Sequence, residues 1–383
     1  MTTETYRPMT DSWLTETLVT ALDGHRHSEK DGSGGGAGVS GGDETQGWGV
    51  GGIENSIPVR ITYTIIACLG IAGNFIVIFA LIKVPSLRNC TSYFIIHLAA
   101  TDLITSIWVI PFHMLSVVPH IPEGLGGELV CRLFLSKYPL WVTIFASVYS
   151  MVCVTMERFF AVVYPLKYKA LYTTSRIVPM IVSCWLVGAV SNWFFFYNYD
   201  YVSGKGCIFV SWPSSAVSAV IGVYIFAVVY FIPITTMLVA HWKMIKSLKK
   251  QASSLEGKAC RGGACKKQAW QLQVAQDLSR MLLVVVVTYA ACWLPNQVLF
   301  LAYNLGVPVS FASLPFHLSV ILALCNSCIN PFIYTLKNEQ FRNGVRKALC
   351  LRATGVVEPA ANSLEGAEQR TANTRSTNVE SIA

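Results

Sequence analysis

The amino-acid sequence predicts an all-α membrane protein, a seven-transmembrane helix bundle followed by a short amphipathic eighth helix. Three observations carry this. Of 383 residues, 53% are apolar and only 13% charged, with a mean hydropathy of +0.49, whereas an average soluble chain carries about twice that charge. The apolar residues fall into seven stretches, each close to the roughly 20 residues a helix needs to cross a hydrocarbon core about 30 Å thick. The basic residues collect between alternate stretches. A soluble all-α globule would need polar helix faces, which these stretches lack.

Residues 1–58 read as a disordered tail, Gly-rich and with nine acids against three bases. No basic segment followed by an apolar one opens the chain, so the first span is expected to direct its own insertion. Residues 59–335 hold the bundle, 336–350 the amphipathic helix and 351–383 a second polar tail. The first span, roughly 60–83, contains Asn74, and the second, 92–118, contains Asp102. The third, 132–160, follows Cys131 and carries Ser147 and the Glu157-Arg158 pair. The fourth, 177–199, holds Trp185, and the fifth, 214–241, holds Pro233. The sixth, 281–303, contains Trp293 and Pro295, and the seventh, 310–334, contains Asn326, Ser327, Asn330, Pro331 and Tyr334. Pro and Gly inside these runs are tolerated better in membrane helices than in soluble ones. Beyond Tyr334, Phe341, Val345 and Leu349 recur at helical spacing with Arg342, Arg346 and Lys347 on other faces, the pattern of a helix lying in the membrane interface.

Lys and Arg mark the cytoplasmic side. With the N-terminus outside, the cytosol receives Lys83, Arg88, Arg158, Lys167, Lys169, Arg176, the cluster from Lys243 to Arg280 and the basic residues beyond the seventh span, 22 of 29 in all. The expectation is therefore a multi-pass plasma-membrane protein, N-terminus extracellular and C-terminus cytoplasmic, with the bilayer rather than nucleic acid as its basic partner. Of twelve cysteines this topology leaves only Cys131 and Cys207 at the oxidising face, so they are the one available disulfide there, the alternative being two unpaired thiols. Cys260 and Cys265 lie on the reducing side without further ligands, which argues against a metal site.

Ionisable and amide groups inside a membrane are expensive and usually functional. Asp102, with Asn74, Ser147, Asn326, Ser327 and Asn330, must be satisfied by one another. One carboxylate among neutral oxygens suits a hard cation such as sodium; a hydrogen-bonded core that holds no ion is the alternative.

Taken in order, Gly73-Asn74, LAATD at 98–102, Cys131, Glu157-Arg158-Phe159, Tyr164-Pro165-Leu166, Trp185, Cys207, Pro233, CWLP at 292–295 and NSCINPFIY at 326–334 resemble a rhodopsin-like (class A) G-protein-coupled receptor, over about residues 58–350. The overall look is similar to neuropeptide receptors of the galanin, allatostatin and kisspeptin kind. The resemblance implies a switch between two helix packings, biased from outside by a ligand. Pro295 and Pro331 would bend their helices, and Trp293 and Tyr334 would sit at the moving points. Glu157 would hold Arg158 until a G protein engages Arg158 and Leu166. An arrestin and a receptor kinase would read the tail, with Thr371, Thr374, Ser376, Thr377 and Ser381 as phosphosites, and Cys350 would be palmitoylated. Part of the basic third inner loop would face anionic lipid instead.

Four departures from that pattern carry expectations of their own. Cys131 precedes Arg158 by two residues more than is usual, with Pro139 between, which predicts a kink or bulge. His241 stands where a tyrosine is usual in the fifth helix. Ala275 replaces an acid at the base of the sixth, with Asp277 on another face, so no strong interhelical lock is expected. The one sequon, Asn89-Cys90-Thr91, faces the cytosol and should stay unmodified.

No acid lies between residues 129 and 156, and Leu140 occupies the place where amine receptors carry Asp; the seventh span has no Lys for a retinal Schiff base. A pocket of Leu140, Trp141, Asn296, Gln297, Phe300 and Tyr303 suits the amides of a short peptide, and the acids at the outer face, Glu123, Glu128, Asp200 and those of the tail, would draw a cationic ligand. A lipid or other small apolar ligand is the alternative within the family. An enzyme is not expected, because the spans hold no second Asp and no GxSG. A transporter, the remote alternative, would show internal repeats.

Overall fold

The computed structural model describes residues 56–114, 121–256, 263–310 and 313–349. Apart from residues 56–58, the two tails expected at 1–58 and 351–383 lie outside the described residues, as do Cys260, Cys350 and the tail phosphosites. Seven of its helices are long and apolar enough to cross a membrane.

Helix α1, Ile57–Lys83, starts on Pro58, whose missing N–H is harmless in a first turn. Helix α2, Cys90–Val109, is capped by Asn89, whose side chain accepts from the Ser92 backbone N–H at 3.0 Å. Its last turn widens into a π-turn at Ile110–Met114, around Pro111. Helix α3, Tyr138–Val163, is followed by a short helix Pro165–Leu171. Helix α4 spans Thr174–Ser191, and a hairpin of β1, Tyr199–Val202, and β2, Gly206–Phe209, pairs Tyr201 with Cys207. Helix α5 comprises Ser215–Ile225, a π-turn Phe226–Phe231 and Ile232–Glu256. Helix α6 is Gly263–Asn304, α7 Leu314–Lys337 and α8 Glu339–Ala348.

The helices pack around one apolar core in which Val77, Leu98, Met151, Met281, Val285 and Tyr289 are almost fully buried. Two glycines set how closely α1 approaches its neighbours. A Cβ at Gly70 would lie 2.1 Å from Ser106 Oγ on α2, and one at Gly73 would lie 3.0 Å from Pro331 on α7. The close approach places the next residue, Asn74, fully buried against α7. Helix α8 lies against the loop between α1 and α2. Phe341 packs edge-on to Tyr334 at 6.0 Å, and Gly344 admits Leu87. Phe341 therefore belongs to the core, whereas Leu349 is exposed as an interfacial stripe requires.

Three span boundaries differ notably from expectation. Helices α5 and α6 run on through 242–256 and 263–280, where hydropathy falls. Lys, Leu, Gln, Ala and Met sustain a helix in water, so the helix outlasts the apolar run. The third span opens later than 132. Residues Val130–Leu135 form a π-turn, Lys137 takes φ 58°, and regular α-helix begins at Tyr138. This is the bulge predicted by the two extra residues. Ser136 fills the break: its hydroxyl donates to Arg132 O at 2.6 Å and accepts from Tyr138 N at 3.1 Å. Pro139 then enters the first turn, where no donor is needed.

Candidate functional site

Below that break α3 is an unbroken α-helix, so Leu140, Ser147 and Arg158 fall close to one face at its 3.6-residue period. Leu140 heads that face. Seven residues on, Ser147 Oγ donates to Asp102 Oδ1 at 2.7 Å, while Asn330 Nδ2 of α7 donates to Oδ2 at 2.8 Å. Asp102 is fully buried. Asn74 Nδ2 donates to Gly70 O at 2.9 Å and to Ser327 O at 2.8 Å, tying α1 to α7. The expected polar core is thus one connected network across four helices, with Asn326 buried nearby in sequence on α7. Its spare groups are oxygens. Asn74 Oδ1 and Asn330 Oδ1 are buried acceptors without donors, as is Asn326 Oδ1 elsewhere on α7; with one carboxylate, such neutral oxygens are the donor set a hard cation takes.

At the end of the bundle that carries the basic residues, Arg158 grips Glu157 in a two-pronged ion pair, Nε–Oε2 2.5 Å and Nη2–Oε1 2.6 Å. Glu157 is fully buried. It also accepts from Thr91 Oγ1 of α2 at 3.0 Å and from Tyr168 Oη of the short helix at 2.7 Å. Burial first, and then the bond to the Glu157 carboxylate, push the Tyr168 hydroxyl above its usual range, so it stays a donor. Tyr168 and Thr91 escape a reading of the sequence, because each meets Glu157 only through tertiary packing. Leu166, on the same short helix, is 87% exposed. Asp277 pairs with Arg280 of its own helix at 3.6 Å.

The structure does not join Tyr334 to Arg158. The Tyr334 hydroxyl and His241 Nε2 are both buried without a hydrogen-bond partner, and His241 Nδ1 faces Met237 O at 2.9 Å. The proline-bearing helices α5 and α6 are joined instead by tyrosines. Pro233 leaves the Val229 carbonyl, four residues earlier on α5, without its helical donor, and the fully buried Tyr289 hydroxyl of α6 fills that place. Tyr230 of α5 reciprocates by donating to Ala290 O at 3.0 Å, five residues before Pro295 of α6. Tyr149 of α3 donates to Val228 O at 3.1 Å. Trp293 is buried one turn from Tyr289, ring centroids 6.3 Å apart, with Nε1 unpartnered.

Of the expected pocket, Leu140, Asn296 and Gln297 are buried, and Asn296 Nδ2 donates to Ser319 Oγ of α7 at 3.3 Å. Phe300 packs against the core. Trp141 stacks on Phe195 at 6.4 Å, on the α4 side, and Tyr303 is 39% exposed, so these two stand apart from the inner group. Above them Cys131 and Cys207 are disulfide-bonded, Cα atoms 5.5 Å apart, pinning the hairpin to the head of α3. Arg132 Nη2 pairs with Asp200 Oδ1 at 2.7 Å beside it. The acid excess expected at the outer face counted the tail, most of which lies outside the described residues. Among the described residues that end carries Glu123, Glu128 and Asp200 against Arg60, Arg132, Lys137 and Lys205, and Asp200 is already neutralised. Any excess of acid lies in the tail, outside the described residues.

A seven-helix bundle with buried amides toward one end, a buried ion pair at the other and reciprocal tyrosine contacts between α5 and α6 has the make-up of a membrane receptor. Residues 73–334 match the model of the seven-transmembrane receptor (rhodopsin) family, and the chain belongs to that family. It is 28% identical to an allatostatin-A receptor of Bombyx mori over 84% of this chain and 86% of that one. It is 26% identical to galanin receptor 2b of Danio rerio, covering 76% and 75% respectively. Identity to the pyroglutamylated RF-amide peptide receptor of Rattus norvegicus is 25%, covering 75% and 68%.

Proposed function

We propose that this chain is a plasma-membrane receptor that binds an extracellular neuropeptide and activates a heterotrimeric G protein. The disulfide end faces the extracellular space and the basic end the cytosol. The observation that carries the proposal is the Arg158–Glu157 pair, buried and clasped by Thr91 and Tyr168 at the basic end. A guanidinium held so close to the exit of the bundle is a resting-state latch, and opening it exposes a cation to an incoming helix. Leu166, projecting beside it, adds an apolar contact for the G protein. Peptide as the ligand class follows from the relatives, one of which carries the word in its name, and from the buried amides of Asn296 and Gln297 above Trp293.

Movement between the two ends runs through the proline-bearing helices α5 and α6. A ligand that presses on Trp293 biases α6 about Pro295, and the tyrosine bonds at Val229 and Ala290 set how firmly α5 and α6 resist. Sodium would be held by Asp102 and Ser147, with oxygens of Asn74, Asn326, Ser327 and Asn330 around them, and would add a positive charge that favours this packing. Helix α8 with an acylated Cys350 anchors the basic end, and receptor kinase and arrestin act on the tail beyond it.

Screening a neuropeptide library against cells expressing the full chain with a promiscuous G-protein reporter tests the proposal. Peptide-evoked signalling absent from untransfected cells is the expected result. A response confined to lipid or other apolar small molecules would replace peptide by that class, and uptake of a tracer into proteoliposomes without nucleotide exchange would replace receptor by transporter.

A further inference from the structure

Two free thiols meet across the interface between α3 and α4. Cys153 Sγ of α3 lies 3.7 Å from Cys184 Sγ of α4. The Cys184 thiol donates to Met180 O, one turn back on its own helix, at 3.3 Å. Cys153 is therefore the S–H donor of the pair, and a lone pair of the Cys184 sulfur faces it. Cys90 and Cys328, by contrast, donate to backbone oxygens, of Tyr172 at 3.6 Å and of Cys325 at 3.2 Å. A buried cysteine alone is ordinary packing; sulfur facing sulfur across two helices is a reactive arrangement.

The helices come close enough for these sulfurs to join. One turn farther along α4, a Cβ added at Gly188 would lie 2.7 Å from Val142 O of α3 and 3.4 Å from Ala146 N, so the missing side chain lets the two backbones approach. A disulfide holds its sulfurs about 2.05 Å apart. From 3.7 Å that asks for about 1.7 Å of approach, which rotation about the two Cα–Cβ bonds can supply.

The two thiols differ in access. Cys153 is half-buried at the edge of the core, and Cys184 is 2% exposed. Cys153 stands one turn above Glu157, and Cys184 lies ten residues into α4, about 15 Å along its axis. Both are therefore inside the membrane, in the half nearer the basic end. A neutral oxidant enters hydrocarbon, whereas glutathione, which carries carboxylates, is held out.

We propose that Cys153 and Cys184 form an oxidisable dithiol, a modification site for hydroperoxides that closes to a disulfide joining α3 to α4. The Cys153 sulfur attacks the outer oxygen of the hydroperoxide. The O–O bond breaks, Cys153 becomes a sulfenic acid, and the other oxygen leaves as an alcohol, or as water from hydrogen peroxide, carrying the thiol proton. The Cys184 sulfur then attacks the Cys153 sulfur. The S–S bond forms, the S–O bond breaks, and the hydroxyl leaves as water with the Cys184 proton. The two electrons lost by the sulfurs reduce the peroxide bond. The site needs only the packed helix pair, so it stands or falls apart from the peptide reading.

Mass mapping tests it. Full-length receptor in nanodiscs is exposed to hydrogen peroxide in one arm and assembled with a hydroperoxide-bearing phospholipid in the other. It is then blocked with N-ethylmaleimide and digested without reductant. A peptide pair joined through Cys153 and Cys184, two hydrogens lighter than the free peptides and parted by dithiothreitol, is expected, and the arm that yields it identifies the oxidant. In Cys184→Ala the resolving thiol is gone, so Cys153 should be trapped by dimedone as its sulfenic acid, which the unsubstituted receptor should not give. Full alkylation of both thiols in both arms, Cys153 joined to another cysteine, or equal dimedone labelling with and without Cys184 overturns the proposal. The peptide map needs no substitution, so a variant that fails to fold leaves it decisive.

Discussion

Replacing Tyr289 by Phe removes one oxygen and nothing else, which makes it the sharpest probe of how α5 and α6 are held. The hydroxyl is fully buried and supplies the donor that Pro233 denies to the Val229 carbonyl. A net hydrogen bond is worth about 0.5–1.5 kcal/mol, and stranding its buried acceptor raises the cost to about 1–3 kcal/mol. If the bond belongs to the resting packing alone, its loss moves the equilibrium toward the active packing by that amount. At about 1 kcal/mol the ratio changes roughly fivefold, so a receptor active one part in a hundred becomes active about one part in twenty. The assay is ligand-free nucleotide exchange on a purified G protein, normalised to surface expression. A several-fold rise in basal rate is expected, and Tyr230→Phe should act in the same direction through Ala290. Lowered thermal stability with an unchanged basal rate would refute the reasoning, because it would place the bond equally in both packings.

Three further outcomes follow from the same geometry. Arg158→Ala should retain ligand binding and lose most activation, since truncating one member of a buried charge pair costs about 2–5 kcal/mol and removes the docking cation; undiminished nucleotide exchange would count against the latch. Asp102→Asn should make agonist affinity indifferent to sodium, measured by competition with sodium or with a large organic cation in its place, and a persisting sodium effect would move the ion elsewhere. Cys207→Ser should weaken agonist binding by roughly tenfold or more, about 1.4 kcal/mol, by freeing the hairpin from α3, and unaltered affinity at normal expression would remove the pin from the account.

The membrane class, the seven helices, their order and the eighth helix were legible because a bilayer imposes length and hydropathy on anything that crosses it. Asp102, Ser147 and Asn330 were legible for a related reason: buried polar groups in hydrocarbon have few partners besides one another. The extension of α5 and α6 was not, since hydropathy reports where lipid ends and not where a helix does. Tyr168, Thr91 and the tyrosine bonds to Val228, Val229 and Ala290 were hidden because a tyrosine in an apolar run looks like packing. Only the spacing of Val229 to Pro233 hinted at an open carbonyl. Trp141, expected beside Leu140 in the pocket, stacks on Phe195 toward α4, a ring orientation that helical spacing alone does not give.

The break at Lys137 has a consequence for how such a molecule varies. Because the surplus residues between Cys131 and Tyr138 are absorbed in a wide turn closed by Ser136, the rim can lengthen or shorten without rotating the shaft below it. Exchanging the segment above residue 137 with that of a relative should therefore alter what is recognised while leaving the coupling machinery in phase, so that specificity and signalling are separable modules of one helix.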